Sequence, residues 1–327
     1  MAGKMSDKAV QEPSRVIILT PVYNEESSLP AYEEAVRNVL LDDDRCDFRV
    51  IFIDDGSRDS SWDIIQEICT RDSRFEGIRL SRNFGSHIAL TAGFDIAKGD
   101  AFVVLACDLQ DPPETVLEFV ELWKQGFQIV WGMRRTRQDG FWRNLTSNIF
   151  SAFAKKFVMP KESLFTTGSF FLADRTVIDN YRKLREYNRV TFALIAWTGF
   201  RQARVEYDRK QRMAGKSGWN FMRMLKALYD VFIGFSPVPI QIVSAAGGVT
   251  FLLALCLSAY LFFNWLVGTP APGWTSIMLL MSVFFAIQFL LMGILGQYLY
   301  RIFLEVVGRP LYFVSDSTVS DTPEKPC

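Results

Sequence analysis

An α/β domain on a mostly parallel sheet, followed by a two-helix transmembrane hairpin, is the architecture the sequence predicts. Two observations predict it. Short, β-branched runs alternate with helix-length patterns through the first 130 residues, the signature of a parallel sheet wound with helices on both sides. Between Val231 and Tyr300 there is no Asp, Glu, Lys, Arg or His, which leaves room for two bilayer spans of about 20 residues each.

The strands are expected at 15–19, 49–53, 77–80, 101–106 and 128–131. The helices are expected at 30–40, 60–69, 86–97 and 112–125. Asp59 is placed to cap the second helix, and Pro112 or Pro113 to open the fourth, with Glu114 favourable to its dipole. Residues 1–14 are polar and charged without an apolar core, so they read as a disordered leader and not a signal peptide. Residues 15–216 form the expected α/β domain. Residues 217–238 mix Trp219, Phe221 and Leu225 with Arg223 and Lys226, as a helix at the headgroup level would. The spans are expected at 240–267 and 274–298, joined by a Gly/Pro-rich loop, with a juxtamembrane helix and tail over 299–327. Arg223, Lys226, Arg301 and Arg309 flank the pair while the loop carries no charge, so both termini are expected in the cytoplasm.

The chain has 36 Lys and Arg against 36 Asp and Glu. Taken whole, that balance excludes a basic nucleic-acid binder and an acidic disordered chain. It is a sum over unlike parts. Residues 1–130 hold 13 basic and 24 acidic side chains, and residues 131–230 hold 20 and 8. The five Cys are scattered without metal-ligand spacing, as reduced thiols would be.

Three polar motifs follow expected strands: PVYNEE (21–26), DDGSRD (54–59) and DLQDPPE (108–114). Ligands of open α/β sheets bind beyond the carboxyl ends of strands, so three acid-bearing strand ends mark one polar or metal-binding site. G-x-G-x-x-G and Walker sequences are absent, which weakens dinucleotide and P-loop readings. The acids instead suit a divalent cation that also bridges phosphate oxygens. Arg134, Arg135, Arg137, Arg143, Arg209, Lys210, Arg212 and Lys216 supply the complementary charge. His87, the one histidine, reads as a surface or packing residue.

With SRNFG (81–85) and the Y-x-R-x-x-R-x-x-G-x-S string at 207–217, these motifs resemble the polyprenyl-phosphate glycosyltransferases of glycosyltransferase family 2. That group includes bactoprenol glucosyltransferases and dolichyl-phosphate mannose synthases, and the resemblance spans about residues 15–310. It implies a GT-A (Rossmann-like) fold, a nucleotide-sugar donor, Mg²⁺ or Mn²⁺, and a lipid monophosphate acceptor. Carried over by motif, Pro21, Tyr23, Glu25, Asp54 and Asp55 line the donor's nucleotide pocket, and Arg209 and Arg212 close over its diphosphate. Asp108 and Gln110 are the metal ligands. Asp108, Asp111 and Arg134 are the catalytic group, and Arg134, Arg143 and Ser147 hold the acceptor phosphate. The sequence departs from the pattern at Ala106, where the family has the first acid of D-x-D. It departs also at Ser169–Leu172 (SFFL), where many relatives have Asp-Phe-Arg-Leu, and at Gly218, where Lys is common.

The resemblance implies inverting transfer of a sugar, foremost glucose from UDP-glucose, to undecaprenyl phosphate at the cytoplasmic face of a bacterial inner membrane. GDP-mannose, a UDP-N-acetyl sugar or an amino-arabinose donor is the alternative, as is a catalytically lapsed membrane scaffold raised by Ala106. Homo-oligomers and a separate flippase are expected partners, and nucleic acid is not. A processive synthase is disfavoured by the lack of a Q-x-x-R-W motif.

Overall fold

A computed structural model describes residues 13–135, 169–209, 238–267 and 273–319. Arg143, Ser147, Arg212 and nearly all of the expected interfacial segment 217–238 lie outside the described residues. The described chain divides into two compact units. Residues 13–135, 169–209 and 310–319 fall in one, and residues 238–267 and 273–309 in the other.

In the first unit, β1 (Arg15–Val22), α1 (Leu29–Val36), β2 (Asp47–Asp54), α2 (Ser61–Arg71), β3 (Phe75–Leu80), α3 (Ser86–Ile96), β4 (Ala101–Val104), α4 (Glu114–Lys124) and β5 (Ile129–Arg134) follow in turn. Each overlaps the expected element. Beyond them come β6 (Phe171–Asp174), α5 (Arg175–Tyr181), α6 (Thr191–Trp197) and β7 (Gln202–Tyr207), and far later β8 (Val314–Ser317).

The strands form one sheet in the order β7-β5-β6-β4-β1-β2-β3-β8. The expectation of a mostly parallel sheet holds for four of the seven pairings, and the other three make the sheet mixed. The pairs β1–β2, β1–β4, β2–β3 and β5–β7 are parallel, whereas β6 runs antiparallel between β4 and β5, and β8 runs antiparallel to β3. The physical reason is a reversal of the chain on each flank of the four βα units. The strand β6 enters between two strands already laid down, and β8 covers the edge that β3 would leave open. An uncovered edge invites pairing with another chain.

Both faces of the sheet are covered. Val16, Ile18, Val50 and Phe52 bury one face with Tyr32 of α1, Ile65 of α2 and Phe119 of α4. The opposite face meets α3, where Gly93 brings the helix backbone against Ile53 and Leu19. A buried Leu, Ile or Phe contributes about 1.5–3 kcal/mol, and β1 from Val16 to Leu19 is at most 3% exposed. This core fixes the strand ends on which the polar motifs sit.

The second unit holds α7 (Val238–Leu266) and α8 (Trp274–Val307), which pack against each other. The expected boundary at 298 is not a break. The helix α8 continues unbroken to Val307 and ends at Gly308, whose φ of +61° is the left-handed conformation that terminates helices. Arg301 and Glu305 are therefore on the same helix as the apolar run, not on a separate juxtamembrane one. Among the described residues, one segment, Val283–Val307, is long and apolar enough to cross a membrane.

Candidate active site

The loops after β1 and β2 are bonded to each other. Asn24, in the left-handed region at φ +54°, donates its backbone N–H to Ser57 Oγ at 2.9 Å, and its side-chain oxygen accepts from Arg58 N at 2.9 Å. Glu25 N donates to Ser61 Oγ at 2.9 Å, and Ser60 N donates to Glu26 Oε2 at 3.0 Å. The Asp59 carboxylate accepts from Ser61 N at 3.1 Å, but the cap position of α2 is Ser60, not Asp59 as expected, and makes no side-chain cap bond. Pro21 is half-buried beside these bonds and Tyr23 is exposed.

The two aspartates at the end of β2 do different work. Asp54 is wholly buried, with Oδ1 accepting from Ser57 N at 3.0 Å and Oδ2 ion-paired to Arg79 Nε at 3.2 Å. It braces the turn that carries Gly56 and Ser57. Asp55 accepts from Phe84 N at 2.7 Å and from Gly85 N at 2.9 Å, one bond on each oxygen. The SRNFG loop is thus clamped by a single carboxylate. Burial raises the pKa of both groups against the opposing effect of these hydrogen bonds. Gly56 lets the two loops meet. Its φ is +67°, and a Cβ there would lie 2.5 Å from the Arg82 carbonyl carbon.

These loops surround a cleft of about 380 Å³ lined by Tyr23, Ser57, Arg79, Arg82, Asn83 and Ser315, among others. That is the scale of a small-ligand site. Its lining is an exposed tyrosine ring and polar side chains.

The second group gathers beyond β4, β5 and β7. Asp108 and Gln110 flank Leu109, whose φ of +52° is strained for a leucine and whose side chain packs on the core. Asp108 Oδ1 accepts from Gln110 N at 3.2 Å. Pairing of β5 with β7 sets Arg134 opposite Tyr207. Gly132 leaves room for the Tyr207 ring, since a Cβ there would lie 2.9 Å from it. The Tyr207 hydroxyl donates to Asp111 Oδ1 at 2.5 Å, and the Arg209 guanidinium donates to Gln110 Oε1.

Charge is concentrated here with little solvent. Asp111 is 4% exposed. Burial raises its pKa, while the Tyr207 bond and the charges of Arg134 and Arg209 oppose the shift. Burial and then the neighbouring Arg134 push the Arg209 pKa down. Arg209 Nε is buried without a hydrogen-bond partner. A buried guanidinium with an unpartnered Nε favours an added anion.

The structure therefore brings Asp108, Gln110, Asp111, Arg134 and Arg209 together, and places Pro21, Tyr23, Glu25, Asp54 and Asp55 around the neighbouring loops. Sequence reasoning gave no role to Tyr207, Arg79 or Ser315. For Tyr207 a signal existed, because QARVEY alternates buried and exposed positions as a strand does. At the SFFL departure, Phe171 is wholly buried against Trp131 with ring centroids 5.1 Å apart. The Arg of many relatives is replaced there by core.

Residues 17–182 match the family model described as Glycosyl transferase family 2. The chain is 36% identical to "Uncharacterized glycosyltransferase YkcC" of Bacillus subtilis (strain 168), covering 92% of this chain and 93% of that protein. It is 32% identical to the bactoprenol glucosyl transferase of Shigella phage SfII, covering 93% and 98%. It is 33% identical to the undecaprenyl-phosphate 4-deoxy-4-formamido-L-arabinose transferase of Pseudomonas syringae pv. syringae (strain B728a), covering 94% and 92%. With motifs, strand-end site and near full-length relatives in agreement, the chain belongs to glycosyl transferase family 2 and is a glycosyltransferase.

Proposed function

We propose that the protein transfers a sugar from a nucleotide donor to a polyprenyl phosphate, foremost glucose from UDP-glucose to undecaprenyl phosphate, with inversion at the anomeric carbon. The observation that carries this is the cluster beyond β4, β5 and β7, where Arg209 donates to Gln110, Tyr207 donates to Asp111 and Arg134 stands opposite Tyr207. The names of two relatives support the acceptor, a bactoprenol glucosyl transferase and an undecaprenyl-phosphate transferase. Their sugars differ, so an amino-arabinose donor, GDP-mannose or a UDP-N-acetyl sugar is the second reading.

The chemistry follows from charge. A lipid phosphate is already anionic near neutral pH, so it attacks the anomeric carbon without a strong base. The nucleoside diphosphate leaves from the opposite face, and a single in-line displacement inverts the centre. Negative charge grows on the leaving group, where Arg209 and, by its motif, Arg212 stabilise it. Arg134, with Arg143 and Ser147 by their motif, orients the acceptor phosphate. Tyr207 fixes the Asp111 carboxylate, and Asp55 and Asp54 hold the loops that form the cleft for the nucleoside.

A divalent cation fits this donor set. Among the described residues no group of three or more His, Cys, Asp and Glu side chains forms a cage of its own. Asp108 and Gln110 offer hard oxygens, and Mg²⁺ commonly takes one or two protein ligands with substrate phosphates and water. When bound, it would neutralise charge on the departing diphosphate. With Ala106 in place of an acid, and Asp111 held by Tyr207, the diphosphate would supply more of the coordination.

The helices α7 and α8 provide the anchor. They form the two spans of a hairpin in a bacterial inner membrane, with both termini and the α/β domain in the cytoplasm. The excess of basic side chains between 131 and 230 suits a domain held at anionic lipid, where each nearby Lys or Arg contributes about 1 kcal/mol.

Purified protein incubated with labelled UDP-glucose, undecaprenyl phosphate and Mg²⁺ is expected to yield a labelled lipid, and chelation of the cation to suppress it. Product from another nucleotide sugar alone would replace glucose as the substrate. No lipid product with any nucleotide sugar would sink the proposal in favour of a lapsed scaffold.

A further inference from the structure

Three residues lining the cleft beside Tyr23 come from none of the motifs: Arg79 and Leu80 on β3, and Ser315 on β8. The antiparallel pairing of β8 with β3 slips: Ile78 opposes Ser317 and Arg79 opposes Asp316, but Leu80 opposes Val314. Ser315 is the extra residue, left without a partner across the ladder. Bulges of this kind re-aim a side chain and recur next to active sites.

The bulge is pinned on both sides. After it, Asp316 Oδ2 accepts from Trp62 Nε1 at 3.1 Å and from Gln66 Nε2 at 3.4 Å. Before it, the Phe313 carbonyl accepts from Ser81 N at 2.9 Å, and the Tyr312 hydroxyl donates to Asp95 Oδ2 at 3.1 Å. Asp95 also holds Arg185 at 2.8 Å. Between these anchors Ser315 is exposed, and its Oγ donates to the Arg79 carbonyl at 3.2 Å. A serine hydroxyl has one proton and two lone pairs. With the proton given to Arg79, the oxygen remains an acceptor at the wall of the cleft.

We propose that Ser315 is a donor-positioning residue, whose oxygen accepts a hydrogen bond from an N–H or O–H of the donor's nucleoside. The inference rests on the cleft being the nucleoside subsite. It assigns to the segment after α8 a part in donor recognition that the 21–26, 54–59 and 81–85 motifs do not carry alone. The exposed Tyr23 ring supplies a face for a base to stack on, which is insensitive to base identity. A polar wall opposite adds an edge contact that stacking lacks.

The test is calorimetric binding of UDP and of GDP to the full chain in detergent, with donor and acceptor KM measured in the transfer assay. Ser315→Ala is expected to weaken the better nucleotide about fivefold, the loss of one hydrogen bond. Ser315→Thr should restore most of it, and Ser315→Trp should weaken binding more than tenfold by filling the cleft. Donor KM should rise in the Ala and Trp variants while acceptor KM and the thermal midpoint stay put, which a merely structural role would not produce. Unaltered nucleotide affinity in Ser315→Ala overturns the hydrogen bond, whatever the Trp variant does. Wild-type protein that binds neither UDP nor GDP overturns the cleft as a nucleoside site, and the inference with it.

Discussion

At the ends of β1 and β2, polar side chains are bonded to backbone: Asp55 to Phe84 and Gly85, Asp54 to Ser57, Asn24 to Arg58. At the ends of β4, β5 and β7, charged groups mostly face other side chains: Asp111 meets Tyr207, Arg209 meets Gln110, and Arg134 stands opposite Tyr207. The first region is a rigid mould whose shape exists before any ligand arrives. The second is a set of charges whose balance depends on the anion that joins them. The shape is broken by losing its bonds to backbone, and shows in stability; the charge balance is broken by removing a charge, and shows in turnover.

The largest effect should come from the second region. Asp108→Asn is expected to cut the turnover of labelled sugar transfer by at least about 100-fold, with the thermal midpoint nearly unchanged. Undiminished turnover would remove Asp108 from the chemistry. Gly56→Ala attacks the mould. The left-handed backbone and the 2.5 Å approach to Arg82 should cost about 2–3 kcal/mol and raise the donor KM, as denaturant titration and kinetics on one preparation would read. Asp55→Asn leaves one acceptor where two backbone N–H groups converge, and should destabilise by about 1–3 kcal/mol. If it instead lowered turnover with stability intact, the division between mould and charge would be misplaced.

The smallest effect concerns His87. Its Nδ1 accepts from Thr191 N at 3.3 Å, and burial, with help from the Arg189 charge, pushes its pKa down to about 4 from 6.5. The unfolded chain therefore takes up a proton near pH 6.5 that the fold refuses. Its contribution is complete above that pH and is lost as pH falls toward 4. The unfolding free energy of wild-type protein, read by denaturant titration, should fall more steeply between pH 7 and 5 than that of His87→Gln, by at most about 1.4 kcal/mol per pH unit. Parallel curves would show His87 to be indifferent to the fold.

Four βα units were legible because each is local. In β1 and β2 the apolar run is continuous and a helix-length pattern follows within a few residues, so a window of thirty residues contains the answer. The motifs were legible for the same reason, since each sits on the loop that ends its strand. What was not legible is long-range. The sequence of β6, Phe-Leu-Ala-Asp, is four residues long and gains its place by pairing with Val103 and Val130. The sequence of β8, Val-Ser-Asp-Ser, has no apolar rhythm at all. Its strand conformation is imposed by β3. Asp54 shows the same limit within a motif, for DDGSRD does not say which aspartate braces its own turn and which clamps the 81–85 loop.

The place of β8 in the sheet also sets an order in time. Its partner β3 is complete at Leu80, yet Val314 is made 234 residues later, after both long helices. At a synthesis rate of about 5–20 residues per second, the β3 edge and one wall of the cleft stand open for some tens of seconds on every nascent chain. The region around β1 to β3 is the first to be translated and the last to be finished.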